Sequence, residues 1–286
     1  NPYFYKESIV VAMKRIYTLL AILAAGSASF AQISADIPAK SDLYDQLRFE
    51  NFDEVVLNQV DNASALEEAE KIEAESGFYR FSKHIPVSLN LGNSGTWTEV
   101  PGGMLWRLKI RSVNALGTVL YYDKFTIPAG GYMHIYTEDR TDKIGAFTVN
   151  NNPEGGKYAT GLIKGEAVIL EYFEPSDKIG KGEISLETVS HAFRGADLVE
   201  NERGSSQDCQ VDINCPEGDN WRDQQRGIVR IIVQSFGGSG FCSGSLVNNT
   251  GEDCAPYVLS AFHCGTSSNT NHFNQYIFYF NYAFNG

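Results

Sequence analysis

The residues best suited to chemistry lie close together near the end of the printed sequence. His263 follows an apolar run that begins at Tyr257, and Cys264 comes directly after it. A histidine delivered by a short, rigid strand suits general-base catalysis, because its ordinary pKa lies near neutral pH. Cys242 stands on an earlier predicted strand, in the run Cys-Ser-Gly-Ser-Leu-Val. Taken alone, the His-Cys dipeptide favours a structural histidine beside a disulfide, so the surrounding pattern has to decide.

Four predicted β-strands position these residues. They cover 227–236, 241–247, 257–262 and 276–283, and the run Gly-Gly-Ser-Gly at 237–240 predicts a hairpin turn between the first two. Few residues follow the last strand, and a domain rarely ends so soon after a central strand. We therefore expect the printed sequence to be the N-terminal part of a longer protein.

Two motifs around the histidine resemble the first β-barrel of trypsin-like, chymotrypsin-fold serine proteases. In that family a strand Cys-x-Gly-(Ser/Thr)-Leu precedes an apolar strand that ends in (Ser/Thr)-Ala-x-His-Cys. This sequence has Cys-Ser-Gly-Ser-Leu from Cys242 and Ser-Ala-Phe-His-Cys from Ser260. The resemblance implies that His263 is the general base of a Ser–His–Asp triad and that Cys242 is bridged to Cys264. It places the aspartate and the Gly-Asp-Ser-Gly nucleophile segment beyond Gly286, so the printed residues alone should be inactive.

A further motif is similar to the opening of mature bacterial lysyl endopeptidases, Cys-x-(Ile/Val)-Asp-x-x-Cys-Pro-Glu-Gly-Asp. The sequence has Cys-Gln-Val-Asp-Ile-Asn-Cys-Pro-Glu-Gly-Asp over 209–219. This resemblance implies activation cleavage between Arg203 and Gly204. It divides the chain into a pro-region over 32–203 and a truncated protease domain over 204–286.

The distribution of lysine bears on specificity. No lysine follows Lys181, whereas Arg222, Arg226 and Arg230 remain. A lysine-free mature domain would be protected from an enzyme that cleaves after Lys. We therefore predict cleavage of proteins after basic residues, with Lys preferred over Arg. A junction at Arg203 suggests instead either cleavage after Arg or activation by another enzyme.

The N-terminal part carries an export signal. Residues 13–31 combine Met-Lys-Arg, an apolar run and small residues up to Ala31. This is the pattern of a secretory signal peptide cleaved between Ala31 and Gln32, and the apolar run falls short of the roughly 20 residues that span a membrane. On this prediction we expect residues 1–12 to be upstream residues that are not part of the natural protein. We expect a secreted, extracellular protein without a membrane span.

The pro-region is predicted to be rich in β-structure over about 80–194. Its apolar and polar residues alternate in short runs that Gly, Pro and Asn turns interrupt, which predicts an antiparallel β-sandwich. A capping-box sequence at Ser64 predicts a short helix before it. We interpret His84, His134 and His191 as strand or loop histidines. The predicted fold class is mainly β: a sandwich-like pro-domain followed by an incomplete first barrel.

Composition and charge restrict the partners. The formal net charge of −12 disfavours nucleic acid and anionic membranes, which would repel it. The protease hypothesis predicts protein or peptide substrates, the pro-domain as a partner in cis, and a monomer. The sequence supports no cofactor and no metal.

The cysteines agree with export. All five lie in the last third of the sequence, and their odd number leaves at least one without a partner there. The resemblance implies that Cys209 and Cys215 are bridged to positions further along the chain, while the partner of Cys254 stays open. A zinc site made of cysteines and His263 would lack the spacing of metal ligands.

Two other function classes stay open at this point. The β-rich region could be a secreted adhesion or carbohydrate-binding sandwich, since Trp97 and Trp106 would suit sugar stacking, although core packing explains Trp106 equally well. A non-catalytic protease homologue is the other alternative, and it would lack the nucleophilic serine.

Overall fold

The computed structural model describes residues 34–195, 215–253, 255–266 and 268–280. The predicted signal peptide with its Ala31–Gln32 cleavage site lies outside these residues. The same is true of the predicted junction at Arg203 and Gly204 and of two cysteines, Cys209 and Cys254. The described residues belong to one compact unit.

Strands dominate the described part of the chain. In chain order they are β1 (Glu54–Val56), β2 (Tyr79–Arg80), β3 (Ser82–Asn90), β4 (Thr96–Val100), β5 (Gly103–Arg111), β6 (Gly117–Thr126), β7 (Tyr132–Thr137), β8 (Lys143–Phe147), β9 (Tyr158–Ala159), β10 (Ile163–Lys164), β11 (Ala167–Pro175), β12 (Glu183–Ala192), β13 (Ile228–Ser235), β14 (Gly238–Val247), β15 (Tyr257–Ser260) and β16 (Ile277–Phe280). The α-helices are α1 (Lys40–Leu43), α2 (Gln46–Phe49), α3 (Asn62–Ser76), α4 (Arg222–Arg226) and α5 (Thr270–Phe273). The mainly β prediction is confirmed.

These strands form three sheets. Sheet 1 has the order β1-β5-β11-β7-β8 with β4 also on β5, and sheet 2 has the order β10-β6-β12-β3 with β9 also on β6. Sheet 3 has the order β15-β14-β13-β16, and β2 adds to it by pairing with β14. All pairs are antiparallel except β1 with β5, which is parallel. None of the three closes into a barrel among the described residues.

Sheets 1 and 2 enclose the main hydrophobic core. It contains fully buried side chains from both sheets, among them Trp106, Leu108 and Leu170 from sheet 1 and Leu120 and Leu186 from sheet 2. Each such side chain contributes roughly 1.5–3 kcal/mol relative to exposure to water. The sandwich predicted from the alternating pattern is therefore present.

Sheet 2 is buried on both of its faces. Successive side chains of a strand point to opposite faces, so Leu120 of β6 enters the main core while Val119 and Tyr121 enter a second core. That second core also contains Ile232 and Ile277 of sheet 3. Sheet 3 thus forms a third layer, and its inner strand β13 packs directly against the β-sandwich.

Helix α3 begins three residues earlier than a capping box with Ser64 as its N-cap would require. Its N-cap is Asp61, whose side chain accepts hydrogen bonds from the backbone N–H of Ala63 (3.1 Å) and from the hydroxyl of Ser64 (2.6 Å). Gly77 ends the helix with a φ of 73°, a conformation that glycine adopts without strain. The buried residue Ala69 faces the same cluster as Phe193, at the end of the sandwich.

The two tryptophans considered for sugar binding are held by the sandwich itself. Trp106 is fully buried, and its indole N–H donates to the carbonyl of Ser94 at 2.8 Å. Trp97 is half-buried, donates to the carbonyl of Leu91 at 3.0 Å and packs edge-on against Tyr172. Trp106 therefore offers no stacking surface.

No helix in the described part of the chain has the length and apolar character needed to cross a membrane.

Candidate active site

Strand β14 is the element around which the candidate site is built. One edge pairs with β13 from Gly238 to Ser245. The other edge is shared: β15 pairs with its C-terminal part, from Gly244 to Val247, and β2 pairs with Gly240 and Phe241. The hairpin between β13 and β14 is tighter than predicted, because Ser235 pairs with Gly238 and leaves a two-residue turn. The middle of β14 therefore faces the point where β15 ends.

The turn that carries the histidine starts at that point. The last residue of β15, Ser260, lies opposite Gly244, and a 3-10 turn over Phe262–Cys264 follows. Cys264 then meets Cys242 of β14 in a disulfide with a Cα–Cα distance of 6.2 Å. This is the bridge that the protease resemblance implied. It fastens the end of the turn to the strand beside it, and both cysteines are buried.

His263 is exposed in this turn, as is Phe262 before it. A ring nitrogen of His263 and the two sulfurs of Cys242 and Cys264 lie within 4.8 Å of one another. Because the sulfurs are bonded to each other, neither is a thiolate that could bind a metal ion. In the described part of the chain no side chain hydrogen-bonds to the imidazole, and the ring is accessible at the surface.

Hydrogen bonds to backbone carbonyls hold the turn from behind. The hydroxyl of Ser260 donates to the carbonyl of Ser243 at 2.7 Å, which fastens the end of β15 to β14. The phenol of Tyr276 donates to the carbonyl of Cys264 at 2.8 Å, and the hydroxyl of Ser268 donates to the carbonyl of Gln234 at 2.7 Å. Sequence reasoning missed Tyr276 and Ser268, because both lie outside the two histidine motifs and no spacing marks them.

Three other histidines, His84, His134 and His191, lie on strands of the β-sandwich. His84 contacts the hydroxyl of Ser239 at 3.0 Å, and burial lowers its pKa to about 3. His191 contacts the hydroxyl of Ser112 at 2.7 Å, and His134 contacts a backbone carbonyl. Burial also lowers the pKa of both. Each of the three is tied into the packing of the sandwich or its contact with sheet 3.

Comparison with known families bears on the same residues. A family model described as the lysyl endopeptidase C-terminal domain matches residues 203–286. This part of the chain is related to the lysyl endopeptidases. No solved structure matches the chain. The lysyl endopeptidase-related segment thus contains the bridge, the exposed histidine and all of β13 to β16.

Cys215 is the other cysteine among the described residues, and it forms no disulfide with any of them. Cys215 is a half-buried free thiol. It begins a 3-10 turn over Pro216–Trp221, which precedes α4 and then β13. Of the sequence-predicted site residues, the structure brings together His263, Cys242 and Cys264.

Proposed function

We propose that the chain is the precursor of a secreted serine endopeptidase that cleaves proteins after basic residues, Lys in preference to Arg. The observation that carries the proposal is the exposed His263 beside the Cys242–Cys264 bridge, inside the segment that matches the lysyl endopeptidase family. A rigid turn with one exposed imidazole is the geometry that a general base needs.

In this proposal His263 works as general base with a serine nucleophile and an aspartate that orients its ring. The serine oxygen attacks the carbonyl carbon of the scissile bond while His263 takes the serine proton. His263 then gives that proton to the leaving amine, and the acyl-enzyme forms. Water repeats both steps and releases the acid product. The aspartate keeps the imidazole in the tautomer that accepts the serine proton.

The precursor organisation is part of the same proposal. A signal peptide over 13–31 would export the protein, and cleavage after Arg203 would separate the pro-region 32–203 from the protease domain. The family match starts at residue 203, which supports that junction. The β-sandwich would then be the bulk of the pro-region, a partner in cis of a monomeric enzyme.

Preference for Lys is supported by the absence of lysine after Lys181. Three arginines of the described protease segment are held by ion pairs at the surface or by packing on an aromatic ring. Arg222 and Arg226 pair with nearby aspartates, and the guanidinium of Arg230 lies 3.7 Å from the ring centre of Phe241. Matched Lys and Arg p-nitroanilides, assayed on the complete protein, should give a higher kcat/KM for Lys, and a higher value for Arg would contradict the preference.

The test of the mechanism uses the complete reading frame expressed as a secreted protein. His263→Ala should lower kcat by about 10⁴-fold or more, because removal of one triad member disables the others. A fluorophosphonate probe should label the wild-type serine and should label the variant far more slowly. Retained hydrolysis in His263→Ala would overturn the proposal.

His272→Gln provides a matched control. His272 lies in the same segment at the third position of α5, where a glutamine preserves the capping box. This variant should keep wild-type activity. If the complete wild-type protein neither reacts with the probe nor hydrolyses substrate, the chain is a non-catalytic homologue.

The junction has its own experiment. Arg203→Gln in the complete precursor should block or delay maturation by a protease that cuts after basic residues, which gel mobility and the N-terminal sequence of the product would reveal. Arg194 is not used as a control position. Its guanidinium is bound by the carboxylate of Glu73 and the carbonyl of Arg80, so its substitution would also disturb the fold. Unchanged maturation of Arg203→Gln would contradict the junction.

A further inference from the structure

The turn that carries His263 has little packing of its own. Phe262 is 90% exposed and His263 is also exposed, so only Cys264 of the three turn residues is buried. Side-chain burial therefore cannot hold the imidazole in one place. The position of the turn depends on the disulfide and on hydrogen bonds to its backbone.

Tyr276 supplies one such bond at the end of the turn. Its phenol oxygen lies 2.8 Å from the carbonyl oxygen of Cys264, the residue next to His263. The ring itself is fixed, because it packs in the cluster that contains both bridged cysteines and meets Phe273 edge-on at 5.2 Å between ring centres. Tyr276 thus reaches the turn from a rigid position immediately before β16.

Ser268 connects this contact to the middle strand of sheet 3. Its hydroxyl lies 2.7 Å from the phenol oxygen of Tyr276 and 2.7 Å from the carbonyl oxygen of Gln234 on β13. The three contacts therefore form a continuous path from β13 to the backbone of the histidine turn. Gln234 is buried in the sheet, so the path begins on a rigid element.

The number of protons determines which of the two hydroxyls matters more. Two hydroxyls have two protons for three short contacts, and each hydroxyl donates one hydrogen bond. The carbonyl oxygen of Cys264 can only accept, so the proton of Tyr276 goes to it, and the proton of Ser268 goes either to the carbonyl of Gln234 or to the phenol oxygen of Tyr276. Removing the Ser268 hydroxyl leaves the Tyr276 donor in place but cuts its link to β13, so a smaller loss of rate is expected, whereas removing the Tyr276 hydroxyl abolishes the contact with Cys264. Burial also raises the pKa of Tyr276, which keeps its proton in place.

We infer that Tyr276 is a positioning residue for His263, holding the turn through the carbonyl of Cys264, with Ser268 as its link to β13. This inference rests on the proposed function, because it needs His263 to be the general base. A displacement of about 1 Å in a reacting group costs up to about 100-fold in rate. The hydroxyl of Tyr276 should therefore affect the rate of chemistry more than the binding of substrate.

The experiment compares Tyr276→Phe with wild type in the complete mature enzyme. The concentration of active sites is first measured from the burst of acyl-enzyme formation, so that unfolded protein does not count. We expect kcat per titrated site to fall about tenfold or more and KM to change by less than about twofold. Tyr257→Phe is the matched control, since Tyr257 is exposed on β15 and its hydroxyl bonds to no described residue.

Unchanged kcat per titrated site in Tyr276→Phe, even with a lower melting temperature, would show a purely structural role and overturn the inference. Ser268→Ala should lower kcat per titrated site by less than Tyr276→Phe does, and Ser268→Thr should restore it. If Tyr276→Phe does not fold, equal kcat in Ser268→Ala and wild type overturns the inference instead. The His263→Ala result separates the two claims, because its retained activity contradicts the proposed function itself.

Discussion

At the scale of single residues, the histidine turn over Phe262–Cys264 combines an exposed side chain with a buried, bridged one. Cys264 is buried and bridged to Cys242, whereas His263 beside it is exposed. A base that meets a substrate must be accessible, and it must also be fixed to about an atomic radius. The bridge supplies fixation from the neighbouring residue, so the imidazole itself needs no packing.

The bridge should also contribute measurably to stability. Cys242→Ser combined with Cys264→Ser opens a loop with a sequence separation of 22 residues. In the chain-entropy account, loss of a loop of this size lowers the free energy of unfolding by about 3 kcal/mol. The midpoint of guanidinium unfolding, measured on the oxidised protein, should fall accordingly.

Ser243→Ala is the control for that measurement, since Ser243 lies on β14 next to Cys242 with an exposed side chain. Its unfolding midpoint should match the wild type. A double cysteine variant that unfolds at the wild-type denaturant concentration would mean that the folded protein does not contain the bridge.

At the scale of elements, β14 is shaped by the strand that joins it from the sandwich side. A Cβ atom on Gly240 would lie 2.3 Å from the ring of Phe78 and 2.8 Å from the carbonyl oxygen of Tyr79. A Cβ on Gly238 would lie 2.2 Å from the guanidinium of Arg80. These glycines leave room for β2 to pair with β14, and the nearly buried Arg80 then binds the carbonyl of Gly237 and the carboxylate of Glu68 at 2.9 Å.

Gly240→Ala should therefore weaken the pairing of β2 with β14. The added methyl group meets a ring and a backbone oxygen that cannot both move aside, and overpacking of this kind costs about 1–3 kcal/mol. We expect a lower unfolding midpoint together with faster hydrogen exchange at the amides of β2.

Gly227→Ala is the matched control for this substitution, because a Cβ at Gly227 would make only ordinary contacts, the nearest at 3.4 Å. Unaltered stability and exchange in Gly240→Ala would mean that β2 does not pair with β14 in solution.

At the scale of the whole molecule, sheet 3 contacts the sandwich through polar as well as apolar groups. The hydroxyl of Ser239 on β14 lies within 3.0 Å of the hydroxyls of Ser190 and Tyr121 and of the ring of His84. All four side chains belong to the contact between the sandwich and the lysyl endopeptidase-related segment. A buried network of this kind is stabilising only while every member keeps its partners.

His84 makes this contact sensitive to acid. Burial lowers its pKa to about 3, with smaller effects from the positive charge of Arg80 and from His272. Below pH 6.5 the unfolded chain takes up a proton that the folded protein does not, so stability falls as the pH decreases from 6.5 toward 3. Between pH 7 and pH 5 this histidine should remove about 2 kcal/mol from the free energy of unfolding.

His84→Gln tests that expectation, because glutamine can still hydrogen-bond to Ser239 but does not titrate. Unfolding free energies of both proteins at pH 7 and pH 5 should differ in slope by about that amount, with the variant losing less. Parallel slopes would show that the charge of His84 plays no part in acid destabilisation.

Much of the architecture could be predicted from local pattern. The period-2 alternation predicted the sandwich. The apolar runs predicted four strands, which the structure places at Ile228–Ser235, Gly238–Val247, Tyr257–Ser260 and Ile277–Phe280. The turn predicted over 237–240 was too long, because Gly238 and Gly240 lie within β14. A side chain at either position would collide with β2 or the residues beside it, which are distant in sequence. The requirement for glycine therefore comes from strand pairing and not from a turn.

The sequence by itself determined the mainly β fold, the apolar strand that leads to His263 and, through resemblance, the pairing of Cys242 with Cys264. Such features depend on residue type and short spacing, which a sequence displays directly. Only the tertiary structure decided that the sandwich adds a strand to β14 and that Tyr276 and Ser268 hold the histidine turn from behind. Those contacts join backbone carbonyls to residues elsewhere in the fold, and a carbonyl is the same at every position of a sequence.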